Sequence, residues 1–231
     1  YTLWHTLSLH DALPIYQLIV LTGDRRSPLT RIAARKSLIA MAGKYPVDAE
    51  IGTHINHANE DTRYNTFLVL AALDSKRYGP QIEARLQGES RDLNQAAAIR
   101  ALIAAGHAAA EDTILGFAES EAPDVRTSVG EAVGRLKLRK GHDRIIKYTL
   151  NDTDADVRWA ANISLGLIHQ ESFAGTFLKV LERTNYAKKP PEFLSARDRV
   201  APCWGLSRLK DPGKAVYKRL DAQISRPVVK I

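Results

Sequence analysis

One cysteine, Cys203, stands among the 231 residues. No intrachain disulfide can form, and no CxxC or CxxCH signature for metal or haem is present, so the chain is not a disulfide-built secreted domain. Aromatic residues are scarce, at 7%, while Ala and Leu are plentiful, and that balance suits helices better than strands. Long apolar runs are missing as well: nothing approaches the roughly 18–20 uninterrupted residues of a membrane span. No Gly-x-Ser-x-Gly elbow, Walker loop or dinucleotide loop occurs, so nothing supports acyl or phosphoryl transfer. Acidic charge is sparse only at one end. Residues 183–231 hold 12 Lys/Arg against 4 Asp/Glu, a net of +8, whereas residues 1–182 hold 21 against 22, a net of −1. The net charge of +7 therefore belongs to the last quarter of the chain.

What is present is a period. The clearest unit is Asp154-Ala-Asp156-Val157-Arg158-Trp-Ala-Ala-Asn-Ile-Ser-Leu165-Gly, and Ala122-Pro-Asp124-Val125-Arg126-Thr-Ser-Val-Gly-Glu-Ala-Val133-Gly repeats it. With the residue after the Val as anchor, the frame recurs at Arg31, Arg63, Asn94, Arg126 and Arg158, and a sixth copy sits at Arg199 after an insertion around Asn185–Pro191. The steps are 32, 31, 32, 32 and 41 residues. Seven residues past each anchor stand Leu38, Leu70, Ala101, Val133, Leu165 and Leu206; ten past stand Met41, Leu73, Ala104, Leu136, Ile168 and Leu209. Three past, Ala34, Thr66, Ala97, Val129, Ala161 and Pro202 are small or medium. On a helix these offsets share one stripe, so each anchor opens an amphipathic second helix whose small residues let a neighbour approach. Shorter first helices precede them, for example Pro80–Leu86, Glu111–Ala118, Asp143–Leu150 and Ser172–Leu181. Between the pair lies a polar turn (Asn59–Asp61, Asp92, Pro123-Asp124, Asp152–Asp156) able to cap the following helix. Gly43, Gly79, Gly106 and Gly141 are expected to stop helices in left-handed conformation.

This Asp-x-Val-Arg-x-x-Ala-Ala-x-x-Leu-Gly pattern resembles the HEAT-repeat family, in particular the short bacterial PBS-lyase HEAT-like repeats. It is specific at Asp124-Val125-Arg126 and Asp156-Val157-Arg158 and weaker elsewhere, with Asn94 in place of the Arg and Pro202 inside the last helix frame. The resemblance implies an all-α fold, a right-handed α-solenoid (superhelix) of about six helix pairs, in which each repeat contacts only its neighbours. It also implies that Asp124, Arg126, Asp156 and Arg158 build a hydrogen-bonded ladder between repeats and carry no chemistry, as a guanidinium's several donors allow. A second resemblance concerns Thr6–Ile15, TLSLHDALPI, which matches one reading frame of a common short-read sequencing adaptor. Residues 1–15 are accordingly expected to be non-native, with the natural N-terminus and any upstream domain outside this sequence. The array is expected over 16–222 and a tail over 223–231.

Candidate partner-binding residues lie off the main stripe. Tyr64, Trp159 and Trp204 occupy positions one and five past the anchor, and Arg135 and Arg208 stand nine past it. Aromatics and Arg are the usual energetic anchors of interfaces, although a solenoid helix buries more than one stripe. A basic cluster, Arg135, Lys137, Arg139, Lys140, Arg144 and Lys147, joins with Lys188, Lys189, Lys210, Lys214, Lys218 and Arg219 as a surface for an acidic partner or nucleic acid. His54 and His57 share a helix face at i, i+3, but no third metal ligand is evident, and the His-Glu dipeptides of the helical metalloenzyme deoxyhypusine hydroxylase are absent. Cys203, before Trp204, reads as a packed small residue. The expectation is a non-catalytic protein–protein interaction or scaffold module, part of a larger bacterial protein, that is a monomeric array needing no cofactor or metal. The alternatives are a nucleic-acid-binding protein using a basic surface and a phycobilin-lyase-like subunit. The sequence assigns no compartment.

Overall fold

The computed structural model describes residues 9–183, 196–210 and 213. Among them twelve α-helices follow one another, first and second helices alternating: α1 (Leu9–Leu21), α2 (Pro28–Met41), α3 (Val47–Gly52), α4 (Glu60–Ala72), α5 (Gly79–Leu86), α6 (Asp92–Ala104), α7 (Glu111–Leu115), α8 (Pro123–Leu136), α9 (His142–Asn151), α10 (Ala155–Ile168), α11 (Ala174–Arg183) and α12 (Ala196–Ser207). No strand occurs among the described residues. Every anchor falls in the first turn of an even-numbered helix, and α12 runs on through Pro202, so the sixth frame holds. The first half of α1 lies in the adaptor-like segment, where Ile15 is buried together with Ile19.

The caps are those the turns offer. Ser27 accepts from the Thr30 amide ahead of α2, Asn59 from Asp61 and Thr62 ahead of α4, and Asp154 from Asp156 and Val157 ahead of α10. At the other ends the glycine expectation needs correction. Of those four glycines only Gly106 is left-handed, at φ 66°; the same role after α4, α8 and α10 falls to Asp74, Lys137 and His169, with φ of 47°, 56° and 57°. The amides that follow close the helices on carbonyls five residues back, Ser75 to Leu70, His107 to Leu102 and Leu138 to Val133. Gly79 and Gly141 instead serve close approach at the start of first helices. A Cβ on Gly79 would lie 2.7 Å from the His107 ring, and one on Gly141 would lie 2.5 Å from Val133 Cγ2.

Two units divide the chain, residues 1–113 and 114–231. In the first, α4 packs between α2 and α6, backed by α1, α3 and α5. In the second, α10 packs between α8 and α12, backed by α9 and α11. The positions seven past the anchor are all sealed, from Leu38 to Leu206, and so are those three past it. Each large apolar side chain buried this way contributes about 1.5–3 kcal/mol. Helices α8 and α10 approach closely because a Cβ on Gly134 would fall 2.5 Å from Ser164, whose hydroxyl donates to the Gly130 carbonyl at 2.7 Å.

An arginine rung joins successive pairs within each unit. Arg63 Nη1 donates to the His57 and Ala58 carbonyls at 2.8 and 3.0 Å, while Nε and Nη2 grip Glu89 at 2.5 and 2.9 Å. Arg126 repeats the arrangement on the Ser120 and Glu121 carbonyls and on Asp152, at 2.9 and 3.0 Å for the carboxylate. Arg158 uses the Asp152 and Thr153 carbonyls and Asp198, at 3.0 and 3.2 Å. The carboxylate of a rung is thus not the Asp two residues before the Arg. Asp124 and Asp156 are exposed first-turn residues placed for the helix dipole. Asn94, where the Arg is missing, donates to the Glu60 carbonyl and to Glu89.

Candidate functional site

The outward face of the second helices in the second unit gathers four of the sequence candidates, Arg135, Trp159, Trp204 and Arg208. Positions one, five and nine past the anchor are neighbours along a helix, one turn apart. They carry Glu131 and Arg135 on α8, Trp159, Ile163 and Leu167 on α10, and Val200 and Trp204 on α12 with Arg208 just past its end. Between α8 and α10 these side chains surround a shallow hollow of about 210 Å³, walled by Trp159, Ile163 and Leu167 and rimmed by Glu131 and Arg135. Beside it Trp204 rests over Gly166, where a Cβ would meet the indole at 2.6 Å. The Arg208 guanidinium sits 5.7 Å from the Trp204 ring centroid and donates to His169 Nε2 at 3.3–3.4 Å. Such stacking fixes the Arg while leaving donors at the rim. Val200 is 58% exposed on the same face. Ile163 and Leu167 extend the face beyond the aromatics named from sequence; the i, i+4 spacing from Trp159 is the signal that identifies them.

The remaining candidates scatter. Tyr64 is half-buried on α4, in the first unit. Lys137 occupies the left-handed end of α8, and Arg139 and Lys140 follow in a short 3-10 turn, all three exposed. Arg144 and Lys147 both reach Glu119, Lys147 at 3.3 Å, so part of the basic cluster is compensated. Lys188 and Lys189, with Lys214, Lys218 and Arg219, lie outside the described residues. Burial pushes the Cys203 thiol above its ordinary value against the opposing pull of Arg199, which disfavours the thiolate a nucleophile needs. Burial likewise pushes Tyr148 up to about 12, and its hydroxyl donates to the Ala118 carbonyl inside the second unit.

His54 and His57 stack with ring centroids 5.6 Å apart. His57 Nδ1 accepts the Asn59 amide at 3.0 Å, so the neutral ring carries its proton on Nε2 and offers no lone pair to a metal. Among the described residues no group of three His, Cys, Asp or Glu is placed to hold a metal ion. Among the described residues no helix is long and apolar enough to cross a membrane.

Comparison with known proteins agrees with this architecture. Residues 79–166 match the family model for HEAT repeats. No curated protein sequence matches the chain. Among solved structures, the complex of CpcE and CpcF of phycocyanin lyase from Nostoc sp. PCC7120 is similar, with a TM-score of 0.52 and 18% identity. The match covers 90% of this chain and 82% of that one. The HEAT-repeat match thus runs from α5 into α10, and the structural likeness is one of helical fold along most of the chain.

Proposed function

We propose that the chain is a non-catalytic, partner-binding HEAT-repeat subunit that holds another protein on the outward face of α8, α10 and α12. The observation that supports this reading is the half-exposed Trp159–Ile163–Leu167 strip around its hollow, edged by Glu131, Arg135 and the stacked Trp204–Arg208 pair. An apolar centre with aromatic anchors and a charged rim is the anatomy of a protein interface. The test is affinity capture from lysate of the source cells with the wild-type chain and with the double variant W159A/I163S. A specifically enriched protein that the variant loses, at an unchanged melting temperature, supports the proposal. Equal capture by both chains, or no enriched protein, counts against it.

The fold comparison favours a more specific second reading, a subunit of a lyase of the phycobilin type. The similar structure is a complex of two such proteins, and the likeness runs along nine-tenths of this chain. At 18% identity it is a likeness of fold, and no residue of this chain stands out as a bilin ligand. Mixing the chain with bilin and an apo-phycobiliprotein, with and without a HEAT-like partner subunit, tests it by the visible absorbance of the covalent product. No product in either mixture removes the lyase reading and leaves the partner-binding one intact. For the nucleic-acid alternative, Glu119, shared between Arg144 and Lys147, offsets one of the positive charges on which it rests.

A further inference from the structure

A second hollow, in the first unit, lies far in sequence from the face just described and is unused by it. Its volume is about 510 Å³, and its walls come from α1, the turn into α2, the turn after α3 and the start of α4. One wall is apolar and open to solvent: Tyr16 is 61% exposed, Val20 56% and Leu21 40%. The other carries Arg25, Arg26, His54 and His57 against a single carboxylate, Asp24. Neither guanidinium has a partner among the described residues, in contrast to the arginines of the rungs.

The cationic wall is held in place from behind. Asn59, the cap of α4, donates to the Gly23 carbonyl at 3.0 Å, Arg31 donates to the Asp24 carbonyl at 2.6 Å, and the Arg26 amide donates to Asp24 Oδ1 at 2.8 Å. Gly23 fits because any Cβ there would collide with the Thr62 hydroxyl. The loop that presents Arg25 and Arg26 is thereby tied to α4 and α2. His57 is fixed by the Asn59 amide on Nδ1, so its Nε2 hydrogen points away from the backbone and is free to donate. His54 Nδ1 lies 2.9 Å from Thr53 Oγ1 and 3.2 Å from the Glu50 carbonyl. The loop backbone and the His57 ring, held this way before a ligand arrives, lose little freedom when it binds.

We propose that this hollow binds an organic anion, a carboxylate, phosphate or sulfonate carried on an apolar body. The charged head meets Arg25, Arg26 and the His57 N–H, and the body lies along Tyr16, Val20 and Leu21. An aromatic sulfonate, 8-anilino-1-naphthalenesulfonate, and its uncharged relative N-phenyl-1-naphthylamine are suitable probes. Fluorescence titration of the 231-residue chain with each is compared with titration of the double variant R25Q/R26Q, whose changes lie on exposed side chains. The sulfonate is expected to bind the wild-type chain and to lose roughly tenfold or more in affinity in the variant, while the neutral probe is unaffected. Equal affinity of the sulfonate for both chains overturns the proposal, as does equal binding of the two probes or no sulfonate binding at about 1 mM. Since the variant's changes lie outside α8, α10 and α12, failure here leaves the partner-binding reading untouched.

Discussion

Replacing Arg126 by Ala removes a whole rung at once. The side chain makes four hydrogen bonds, two to carbonyls and two to Asp152, and the pair is nearly sealed, with 13% and 7% of the two side chains exposed. Removing one partner of such a pair costs about 3–5 kcal/mol because the other charge is left buried. Asp152 keeps one donor, the Asp154 amide at 2.9 Å, which places the expected loss near the lower end, about 3 kcal/mol. For a chain of this size that corresponds to a melting temperature lower by roughly 6–12 °C. Arg126→Lys should recover only part of it, since an ammonium cannot grip the carboxylate through two nitrogens and also reach both carbonyls. A double-mutant cycle with D152A, read by urea unfolding, isolates the pair, and a coupling of about 2 kcal/mol is expected. A loss under about 1 kcal/mol together with additive single effects would refute the rung as a structural tie.

Other consequences are as direct. Gly134→Ala should destabilise by about 1–3 kcal/mol despite Ala's better helix propensity, because the new Cβ falls 2.5 Å from Ser164; a thermal melt at or above the wild-type value would show that α8 and α10 can separate freely. Lys137→Gly and His169→Gly should each stabilise by about 1 kcal/mol, since both residues hold left-handed backbone, and denaturant midpoints that fall would contradict the strain. Acid should weaken the first unit through Glu89. Its burial favours the neutral acid, but hydrogen bonds from Arg63 and Arg85 and their charges outweigh that and hold its pKa below the ordinary value. A lowered folded-state pKa means the contribution is complete above the ordinary carboxylate range and disappears as pH falls through the lowered one. In E89Q the same pH scan should be flatter in that window, and an unchanged slope would exclude Glu89 as its source.

The period was legible because it is written in residue size and apolarity, which packing enforces at every repeat. All six anchors from Arg31 to Arg199 open helices, and the stripe from Leu38 to Leu206 is sealed. Its outer positions are weaker: Met41, Leu73, Ala104, Leu136 and Ile168 are only half-buried, because they sit at or just past the last helical turn. The ladder was legible on its arginine side alone. Its carboxylates, Glu89 and Asp152, stand 26 residues after Arg63 and Arg126, a spacing that runs through a whole turn and first helix. Asp198 breaks that spacing, since the long connection before α12 moves the turn that would have supplied the partner. Helix ends were misjudged where glycine was taken as the only left-handed residue: Asp74, Lys137 and His169 adopt that geometry, and after Asp74 and Lys137 the following amide closes the helix on a carbonyl five residues back. The offsets put Trp159, Trp204, Arg135 and Arg208 off the main apolar stripe, where the structure also has them. The hollow of the first unit was not legible, because its cations come from turns outside the repeat frame.

The division of labour between rung and face can be read in one paired measurement, taking R126A and W159A/I163S through thermal melting and partner capture at a temperature below both melts. The arginine variant should melt well below wild type and still capture its partner, and the face variant should melt with wild type and capture nothing. An arginine variant that melts with wild type but loses the partner would place binding on the ladder and contradict the account.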